Sequence, residues 1–357
     1  MKLGDGIERF TERDWQTTED GTVRFALIGL GWWTVDVSIP AIEQSDLCET
    51  TVLVSSTKEK AQSHAETHGA EVGITYDEFH DGAAVDEYDA IYICTPNALH
   101  LQYVETAADL GKPVLCEKPL EATVERAEEL VAAAEGEIPL MTAYRMQTEP
   151  VVRRAKELIE DGFIGQPVQA YSNNTQRVLD IIDDTDQWRL NSDLSGYGTS
   201  VMDLGIYSIN TVRYLLDRDP VRVSAEMSSP DEAFGDVPDQ YATYRLTLED
   251  DFPVLCTTSQ NAQDDTELKI IGTQGQIQIQ PAFHGEAALH VKNGEIEATV
   301  EYAAGDAEFE MKEEFDYFAD RILTDSEITP DGQHGLDDMR TLKAVYEAAE
   351  RDETVEL

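Results

Sequence analysis

The sequence contains few basic residues. Its 357 residues include 26 lysines and arginines against 72 aspartates and glutamates, a formal net charge of −46. Nucleic acids and anionic membranes repel such a chain, so both are poor partners for it. The charge predicts a halophile's protein from a high-salt cytoplasm, because the Debye length falls to ~3 Å at 1 M salt and screens the repulsion. An ordinary acidic protein is the alternative.

Long apolar runs and cysteine pairs are also missing. No run approaches the ~18 apolar residues of a membrane span. The polar first twenty residues lack the apolar core of a secretory signal, so we expect a cytoplasmic protein. No C-x-x-C pair is present, so we expect neither a metal site nor a disulfide framework. We expect buried free thiols at Cys48, Cys94, Cys116 and Cys256.

The first third of the chain alternates strand-like apolar runs with helical patterns. This alternation predicts right-handed βαβ units and a parallel sheet. Helical patterns separate the five strand-like runs, which cover residues 23–31, 49–56, 89–96, 113–119 and 139–145.

The pattern changes after residue 145. Strand-like runs joined by turns follow, which predicts an antiparallel sheet. Two helical patterns, 310–323 and 335–350, end the chain. We therefore expect an α/β fold, in which an N-terminal Rossmann-type parallel-sheet domain precedes an α+β domain with a large, mostly antiparallel open sheet. The predicted parts are an N-terminal arm over 1–21, a dinucleotide-binding domain over 22–145, and a substrate and oligomerisation domain over 146–357.

A glycine pair ends the first strand and precedes a helix, as in dinucleotide-binding units. Gly29 would make the tight turn, and Gly31 would let the backbone approach a pyrophosphate. The third glycine of the fingerprint is replaced by Thr34, behind Trp32 and Trp33. Because a small residue can fill that position, the loop still predicts a dinucleotide site, with an ordinary turn as the alternative. The tryptophans either cover the cofactor or pack at an interface.

The end of the second strand distinguishes NAD from NADP. NAD enzymes usually carry an acidic residue there, which bonds the ribose 2′-hydroxyl. This chain has Ser55 and Ser56 instead, followed by Lys58 and Lys60, although lysine is scarcer than arginine here. Hydroxyl and ammonium groups suit a 2′-phosphate, so the segment predicts NADP. A solvated helix start is the alternative.

Two further motifs are those of a known family. T-P-N-x-x-H covers residues 95–100, and E-K-P covers residues 117–119. With them the chain resembles the glucose–fructose oxidoreductase, inositol dehydrogenase and related sugar dehydrogenase superfamily, from residue 23 to the final helix. The resemblance implies hydride transfer between a sugar carbon and nicotinamide. It also implies cofactor contacts by Thr95, Pro96, Asn97, His100, Glu117 and Lys118.

A third motif narrows the resemblance. Asp203 and Tyr207 stand where much of the family has D-x-x-x-H, so tyrosine replaces histidine. This pattern resembles the branch of glucose–fructose oxidoreductases, aldose dehydrogenases and dihydrodiol dehydrogenases. In that branch a serine and a downstream lysine bind the 2′-phosphate, and these fall on Ser55 and Lys60. The resemblance also implies sugar contacts by Tyr144, Arg145, Trp188 and Arg189. For Trp188 and Arg189, simple packing is the alternative.

The family reaction needs a base. Removing a hydride from a carbinol leaves an oxocarbonium, so the hydroxyl proton must also leave. The resemblance implies that Lys118 takes it. Asp203 and Tyr207 lie one helical turn apart and share a face. Tyr207 is expected to bond the reacting oxygen, and Asp203 to orient Lys118 or hold a sugar hydroxyl; an amphipathic helix with a capped aspartate is the alternative.

The expected function is an NADP-dependent aldose 1-dehydrogenase that forms the lactone. D-xylose is the first candidate substrate and D-glucose the second. Alternatives are a glucose–fructose oxidoreductase that recycles tightly held NADP, a dihydrodiol dehydrogenase, and a non-catalytic NADP-sensing regulator. The intact Lys118, Asp203 and Tyr207 argue against the regulator. The family often pairs its second-domain sheets, so we expect a homodimer or homotetramer.

Overall fold

The computed structural model describes residues 13–15, 21–284, 287–301 and 307–357. Most of the predicted N-terminal arm lies outside these residues. The described residues form two compact units. The first comprises Arg13–Arg145 and Ala307–Asp337, and the second comprises Met146–Asp306 and Asp338–Leu357. The functional division of the chain at residue 145 stays a prediction. No helix within the described ranges is long and apolar enough to cross a membrane.

The first unit is built on a six-stranded sheet. In chain order its strands are β1 (Val23–Ile28), β2 (Cys48–Ser55), β3 (Val72–Thr75), β4 (Ala90–Ile93), β5 (Val114–Glu117) and β6 (Leu140–Ala143). All neighbours pair in parallel. Their spatial order is β3-β2-β1-β4-β5-β6. This is the order of a Rossmann domain, with the topological switch between β1 and β4, and the prediction of that domain is confirmed.

Apolar side chains hold this sheet on both faces. The runs from Phe25 to Ile28 and from Ala90 to Ile93 are fully buried, as expected of central parallel strands. Phe315 and Phe318, from a helix late in the chain, pack on Phe25 with ring centroids 5.2 and 6.2 Å away. The helices of the unit are α1 (Ile39–Glu43), α2 (Lys58–His68), α3 (Tyr76–His80), α4 (His100–Asp109), α5 (Val124–Ala134) and α10 (Ala307–Thr324).

One strand of this sheet was missed by the sequence pattern. Five strands were predicted, and β3 is the sixth. It has four residues and includes Gly73, so it carries little of a strand's side-chain signal. A Cβ at Gly73 would lie 2.4 Å from the backbone carbon of Ala61. The glycine is therefore required because α2 packs directly against the strand.

The second unit carries a nine-stranded sheet in the order β14-β13-β12-β11-β7-β10-β9-β8-β15. Among the strands that the structure describes in this sheet, only β7 and β10 pair in parallel, so the prediction of a mostly antiparallel sheet is confirmed. The strands are β7 (Pro167–Arg177), β8 (Pro220–Ser228), β9 (Tyr241–Leu248), β10 (Phe252–Ser259), β11 (Asn261–Gly272), β12 (Gly275–Ile279), β13 (Ala288–Asn293), β14 (Ile296–Glu301) and β15 (Val355–Glu356).

Helices complete the second unit. They are α6 (Pro150–Glu160), α7 (Val178–Ile181), α8 (Ser192–Ser195), α9 (Ile206–Leu216) and most of α11 (Gly332–Arg351), within which the division between the units falls after Asp337. The structure confirms both predicted C-terminal helices. Strand β7 has a mostly polar sequence, PVQAYSNNTQR, which carries little of a strand's apolar signal. Its central position, paired with β10 and β11, overrides that composition.

The four cysteines are free thiols, as predicted. Three are buried, and Cys94 is half-buried. Burial raises the pKa of the Cys256 thiol to about 12, so this group stays protonated and inert at neutral pH.

Candidate active site

The glycine loop at the end of β1 is shaped for a close approach. Gly29 has φ +94°, and a Cβ there would lie 2.2 Å from the Cys94 carbonyl oxygen, so only glycine fits. A Cβ on Gly31 would meet no atom within 4 Å. That open space fits the role of the second glycine, at which a pyrophosphate meets the backbone.

Thr34 explains how the loop works without its third glycine. The residue is buried, and its Oγ1 donates a 2.6 Å hydrogen bond to the Gly29 carbonyl. The threonine thus fixes the turn from within. The helix that follows starts with a π segment, Thr34–Ser38, and continues as α1. Pro40 lies in the first turn of α1, where proline is tolerated.

The residues predicted to read the 2′-phosphate lie at the end of β2. Ser55 is buried at its last position, and Ser56 is exposed. Lys60 Nζ donates to the Leu30 carbonyl at 2.7 Å, which holds an ammonium group beside the glycine loop. Lys58 is engaged differently, because its Nζ lies 2.7 Å from Glu78 Oε2. Lys60 is therefore better placed than Lys58 to meet a 2′-phosphate.

The two tryptophans of the loop differ in exposure. Trp32 is 41% exposed, and Trp33 packs edge-on to it at 5.3 Å. The Arg145 guanidinium lies 5.2 Å from the Trp33 ring centroid, in cation–π contact. Arg145 also donates to Glu310 Oε2 at 2.7 Å, and both side chains are buried. Within this unit, Arg145 therefore packs on Trp33 of the glycine loop and stabilises its position. The contact of Arg145 with the sugar stays a prediction.

Tyr144, the neighbouring predicted sugar contact, is also enclosed. It is 4% exposed and meets the His334 ring edge-on at 5.8 Å. Its contact with the sugar likewise stays a prediction.

The T-P-N-x-x-H segment joins two loops at the carboxyl edge of the sheet. Thr95 and Pro96 are half-buried, and Asn97 is buried. His100 is fully buried at the start of α4. Its Nδ1 lies 3.1 Å from the Leu120 carbonyl and its Nε2 lies 3.0 Å from the Thr95 carbonyl. The imidazole thus ties the loop after β4 to the loop after β5, and its contact with the cofactor stays a prediction.

The E-K-P segment follows β5 at the same edge. Glu117 Oε1 accepts a 2.6 Å hydrogen bond from the Tyr92 hydroxyl, and Oε2 accepts from the Lys118 backbone N–H at 3.2 Å. Lys118 is half-buried, and its peptide bond to Pro119 is cis. Both residues therefore lie where ligands bind in Rossmann folds, at the carboxyl ends of the strands.

A buried carboxyl group accompanies this segment. Glu314 of α10 is fully buried, and neither of its carboxyl oxygens has a hydrogen-bond partner among the described residues. Burial raises the pKa of Glu314 well above its usual range; the charge of Glu117 adds to this effect, and Arg145 opposes it. The Glu314 side chain therefore keeps its proton to higher pH than an exposed glutamate does.

In the second unit three of the predicted sugar residues lie together. Asp203 Oδ2 accepts from Arg189 Nε at 3.0 Å and from Gln260 Nε2 at 2.8 Å. The Arg189 guanidinium lies 4.5 Å from the Trp188 ring centroid. Gln176 Nε2 in turn donates to Gln260 Oε1 at 2.8 Å. The aspartate is thus held as a charged, oriented acceptor.

Tyr207 lies close to this cluster in sequence but has other neighbours. It is 8% exposed, and its ring packs against Phe283 at 5.8 Å and edge-on to His284 at 5.3 Å. Asp203 belongs to a π segment, Val201–Gly205, which precedes α9. The spacing of four therefore crosses from π to α geometry, in place of the single α-helical turn expected from the sequence. Such segments are frequent at functional sites.

Sequence reasoning missed several residues of these clusters. Gln260 and Gln176 belong to no spacing motif, and His284 follows an irregular turn. Tyr92 looked like one more apolar position of β4. Gln176 and Gln260 lie in polar stretches and Tyr92 lies in an apolar strand, so none of them differs from the ordinary residues of such segments.

Comparisons with known proteins agree with this fold. Residues 23–142 match the oxidoreductase family with an NAD-binding Rossmann fold, GFO/IDH/MocA, and residues 152–278 match the GFO/IDH/MocA C-terminal domain. The chain is 51% identical to the D-xylose 1-dehydrogenase [NADP(+)] of Haloarcula marismortui, over 98% of this chain and 97% of that protein.

More distant similarities have the same extent. D-xylose 1-dehydrogenase (NADP(+)) 2 of Haloferax volcanii is 29% identical over 93% of this chain and 99% of that protein. The crystal structure of the aldose-aldose oxidoreductase of Caulobacter crescentus, complexed with glycerol, has a TM-score of 0.87 and 31% identity, and the match covers 94% of this chain and 100% of that one. This chain therefore belongs to the GFO/IDH/MocA family of oxidoreductases.

Proposed function

We propose that this protein is an NADP-dependent D-xylose 1-dehydrogenase, which oxidises the sugar at C1 to its lactone. The observation that carries the proposal is the similarity, over nearly the full length, to the Haloarcula enzyme of that activity. The open space at Gly31 and the ammonium of Lys60 beside the loop support NADP as the cofactor. D-glucose is the next candidate substrate.

The chain's own groups supply the proton chemistry. NADP, when bound, provides the acceptor for the C1 hydride. Lys118 takes the proton of the C1 hydroxyl as the C1–H bond breaks, so that the C1–O bond becomes the lactone carbonyl. The proton then passes to solvent, and Lys118 is ready for the next turnover. Glu117 anchors the backbone from which this lysine extends.

Residues of the second unit are proposed to bind the sugar. Asp203 is held by Arg189 and Gln260, so its carboxylate keeps one orientation and can accept from a sugar hydroxyl. Trp188 offers a ring face beside it. Tyr207 bonds the reacting oxygen, as the family resemblance implies.

A second candidate is an oxidoreductase that oxidises one aldose and reduces another with NADP that it never releases. The likeness to the Caulobacter aldose-aldose oxidoreductase favours it. The two functions differ in their need for added cofactor. The dehydrogenase reduces free NADP stoichiometrically, whereas the recycling enzyme converts a pair of aldoses without any.

A screen of aldoses with NADP and with NAD, in molar KCl, tests the proposal. We expect NADPH formation from D-xylose and a loss in kcat of about 10² to 10⁴ for Lys118→Ala, the usual effect of removing a general base. NADP binding, followed by tryptophan fluorescence, should persist in that variant because the glycine loop is unchanged. An active Lys118→Ala enzyme would remove the mechanism.

We propose the assembly from exposed apolar side chains and the location from the net charge. Four large apolar side chains are exposed on the neighbouring strands β7, β9 and β10, which supports pairing of two copies through the sheet as a homodimer or homotetramer. They are Val168, Tyr171, Tyr241 and Leu255. The net charge of −46 supports a high-salt cytoplasm. Light scattering in molar KCl gives the subunit number.

A further inference from the structure

A buried hydrogen-bond chain runs across the first unit at β4. Its centre is Tyr92, which is fully buried. The Tyr92 hydroxyl donates to Glu117 Oε1 at 2.6 Å and accepts from Ser38 Oγ at 3.3 Å. The chain therefore has a hydroxyl at one end and a carboxylate at the other.

The two ends belong to the two functional segments of this unit. Ser38 closes the π segment that follows the glycine loop, and it is fully buried. Glu117 immediately precedes the proposed base, and its second oxygen accepts from the backbone N–H of Lys118. The hydrogen-bond chain thus connects the helix after the cofactor loop with the segment that carries Lys118.

The Tyr92 ring is fixed by its neighbours. It packs edge-on against Phe315 of α10, with ring centroids 5.0 Å apart. Burial raises the pKa of the Tyr92 phenol well above its usual range, so the hydroxyl keeps its proton and acts as a donor. A phenylalanine would fill the same space, so tyrosine adds only its hydroxyl at this position, and the hydrogen bond of that hydroxyl to a carboxylate is one of the stronger kinds.

We propose that Tyr92 is a positioning residue for the reaction, which holds Glu117 and through it sets the orientation of Lys118. The proposal rests on the proposed function. Without the hydroxyl, the Glu117 carboxylate loses its strongest donor and is free to turn toward the lysine ammonium. A mobile base that is also drawn to a carboxylate transfers protons less well.

The charged surroundings determine the expected pH effect. Besides Lys118 on its own segment, the charged and titratable groups around Glu117 include Glu314 of α10, whose pKa is raised by burial and by Glu117 and Glu310 and lowered by Arg145. Among these groups, the ammonium is the one that a freed Glu117 carboxylate can stabilise. The acidic limb of the kcat profile, which reports deprotonation of the base, should therefore move to higher pH.

The test compares two buried tyrosines. Tyr92→Phe removes the hydrogen bond and keeps the ring. Tyr88→Phe is the matched control, because Tyr88 is fully buried in the same unit and its hydroxyl has no hydrogen-bond partner among the described residues. We expect Tyr92→Phe to lower kcat by about tenfold or more with little change in the KM for NADP. The acidic limb of its kcat profile should move to higher pH by about half a pH unit or more. Tyr88→Phe should match the wild type.

Two results would overturn the proposal: a Tyr92→Phe enzyme with the wild-type kcat and pH profile, or equal losses in both variants. If Tyr92→Phe does not fold, Ser38→Ala removes the hydroxyl at the other end of the hydrogen-bond chain. The kcat of that variant should fall by a smaller factor. An unchanged kcat would count against the proposal. A substrate-free readout separates this proposal from the proposed function. The titration of ¹³C-methylated Lys118 by NMR should shift upward in Tyr92→Phe even if D-xylose is not the substrate, and an unshifted titration would contradict the inference.

Discussion

Lys60 and Lys58 lie two residues apart at the start of α2 and have different partners. Lys60 donates to the backbone of the glycine loop, whereas Lys58 pairs with Glu78 in a partly exposed salt bridge. Exposed pairs contribute little, about 0 to 1 kcal/mol. A charged contact with a phosphate is stronger, about 1.5 to 3 kcal/mol. The two lysines should therefore contribute differently to cofactor choice.

We predict that Lys60→Ala lowers kcat/KM for NADP by about tenfold or more, because a charge-assisted contact is lost. The same enzyme should use NAD nearly as well as the wild type does. Lys58→Ala is the matched control and should change kcat/KM for NADP by less than about threefold, as expected for an exposed pair. Initial rates with both cofactors give these ratios. Equal effects of the two substitutions would contradict the assignment of Lys60.

Single residues show what the sequence could predict of the site. Lys118, Asp203 and the glycine pair were identifiable because they belong to motifs with fixed spacing. Gln260 and Tyr92 were not, because each acts through a partner far away in sequence, and only the fold brings the pair together. Contacts of this kind follow from tertiary packing and not from local pattern.

At the scale of elements, α10 has an unusual composition for a helix packed in a core. Five of its acidic side chains are fully buried: Glu310, Glu313, Glu314, Asp316 and Asp320. Some have basic partners, such as Arg145 for Glu310, Arg13 for Glu313 and Lys312 for Asp316. Glu314 has no hydrogen-bond partner among the described residues, so no hydrogen bond offsets the cost of its desolvation.

The raised pKa of Glu314 has a definite consequence for stability. A carboxyl group whose pKa is higher in the folded state stabilises the fold most below its unfolded pKa, and that contribution is lost as the pH rises through the folded value. Glu314→Gln removes the ionisation. We predict a higher Tm than the wild type at pH 8, by about 2 to 4 °C per kcal/mol recovered, and no gain near pH 4.5.

Calorimetry at both pH values, in molar KCl, measures this difference. Glu308→Gln is the control on the same helix, because the Glu308 carboxylate makes an exposed hydrogen bond with Gln44. That substitution should leave Tm almost unchanged. A Glu314→Gln protein that is no more stable than the wild type at pH 8 would mean that this carboxyl group is solvated or paired in solution.

Other elements show where sequence patterns fail. Periodic segments such as α4 and α5 were recognisable as helices, because apolar residues recur at helical spacing in both and Thr123 caps α5. Strand β7 was not predicted, because its mostly polar sequence becomes a central strand only through its two neighbours. The π segments before α1 and α9 were equally invisible, since π and α geometry share one apolar pattern over a single turn.

The whole molecule carries a net charge of −46, which should make its stability depend on salt. Carboxylates repel one another when the Debye length is long, about 10 Å at 0.1 M, and concentrated salt screens them. We predict that dialysis from molar KCl to below a few hundred millimolar unfolds or dissociates the protein. Circular dichroism and light scattering during dialysis report the two events. A fold that persists unchanged at low salt would contradict adaptation to a saline cytoplasm.

The step proposed for this protein is the transfer of a hydride from C1 of D-xylose to NADP. Its most direct test is the mass of the reduced cofactor formed from D-[1-²H]xylose. We expect that NADPH formed in molar KCl carries one deuterium, that the lactone carries none at C1, and that D-[2-²H]xylose gives unlabelled NADPH. Unlabelled NADPH from the C1-deuterated sugar, or no NADPH from D-xylose at all, would contradict it.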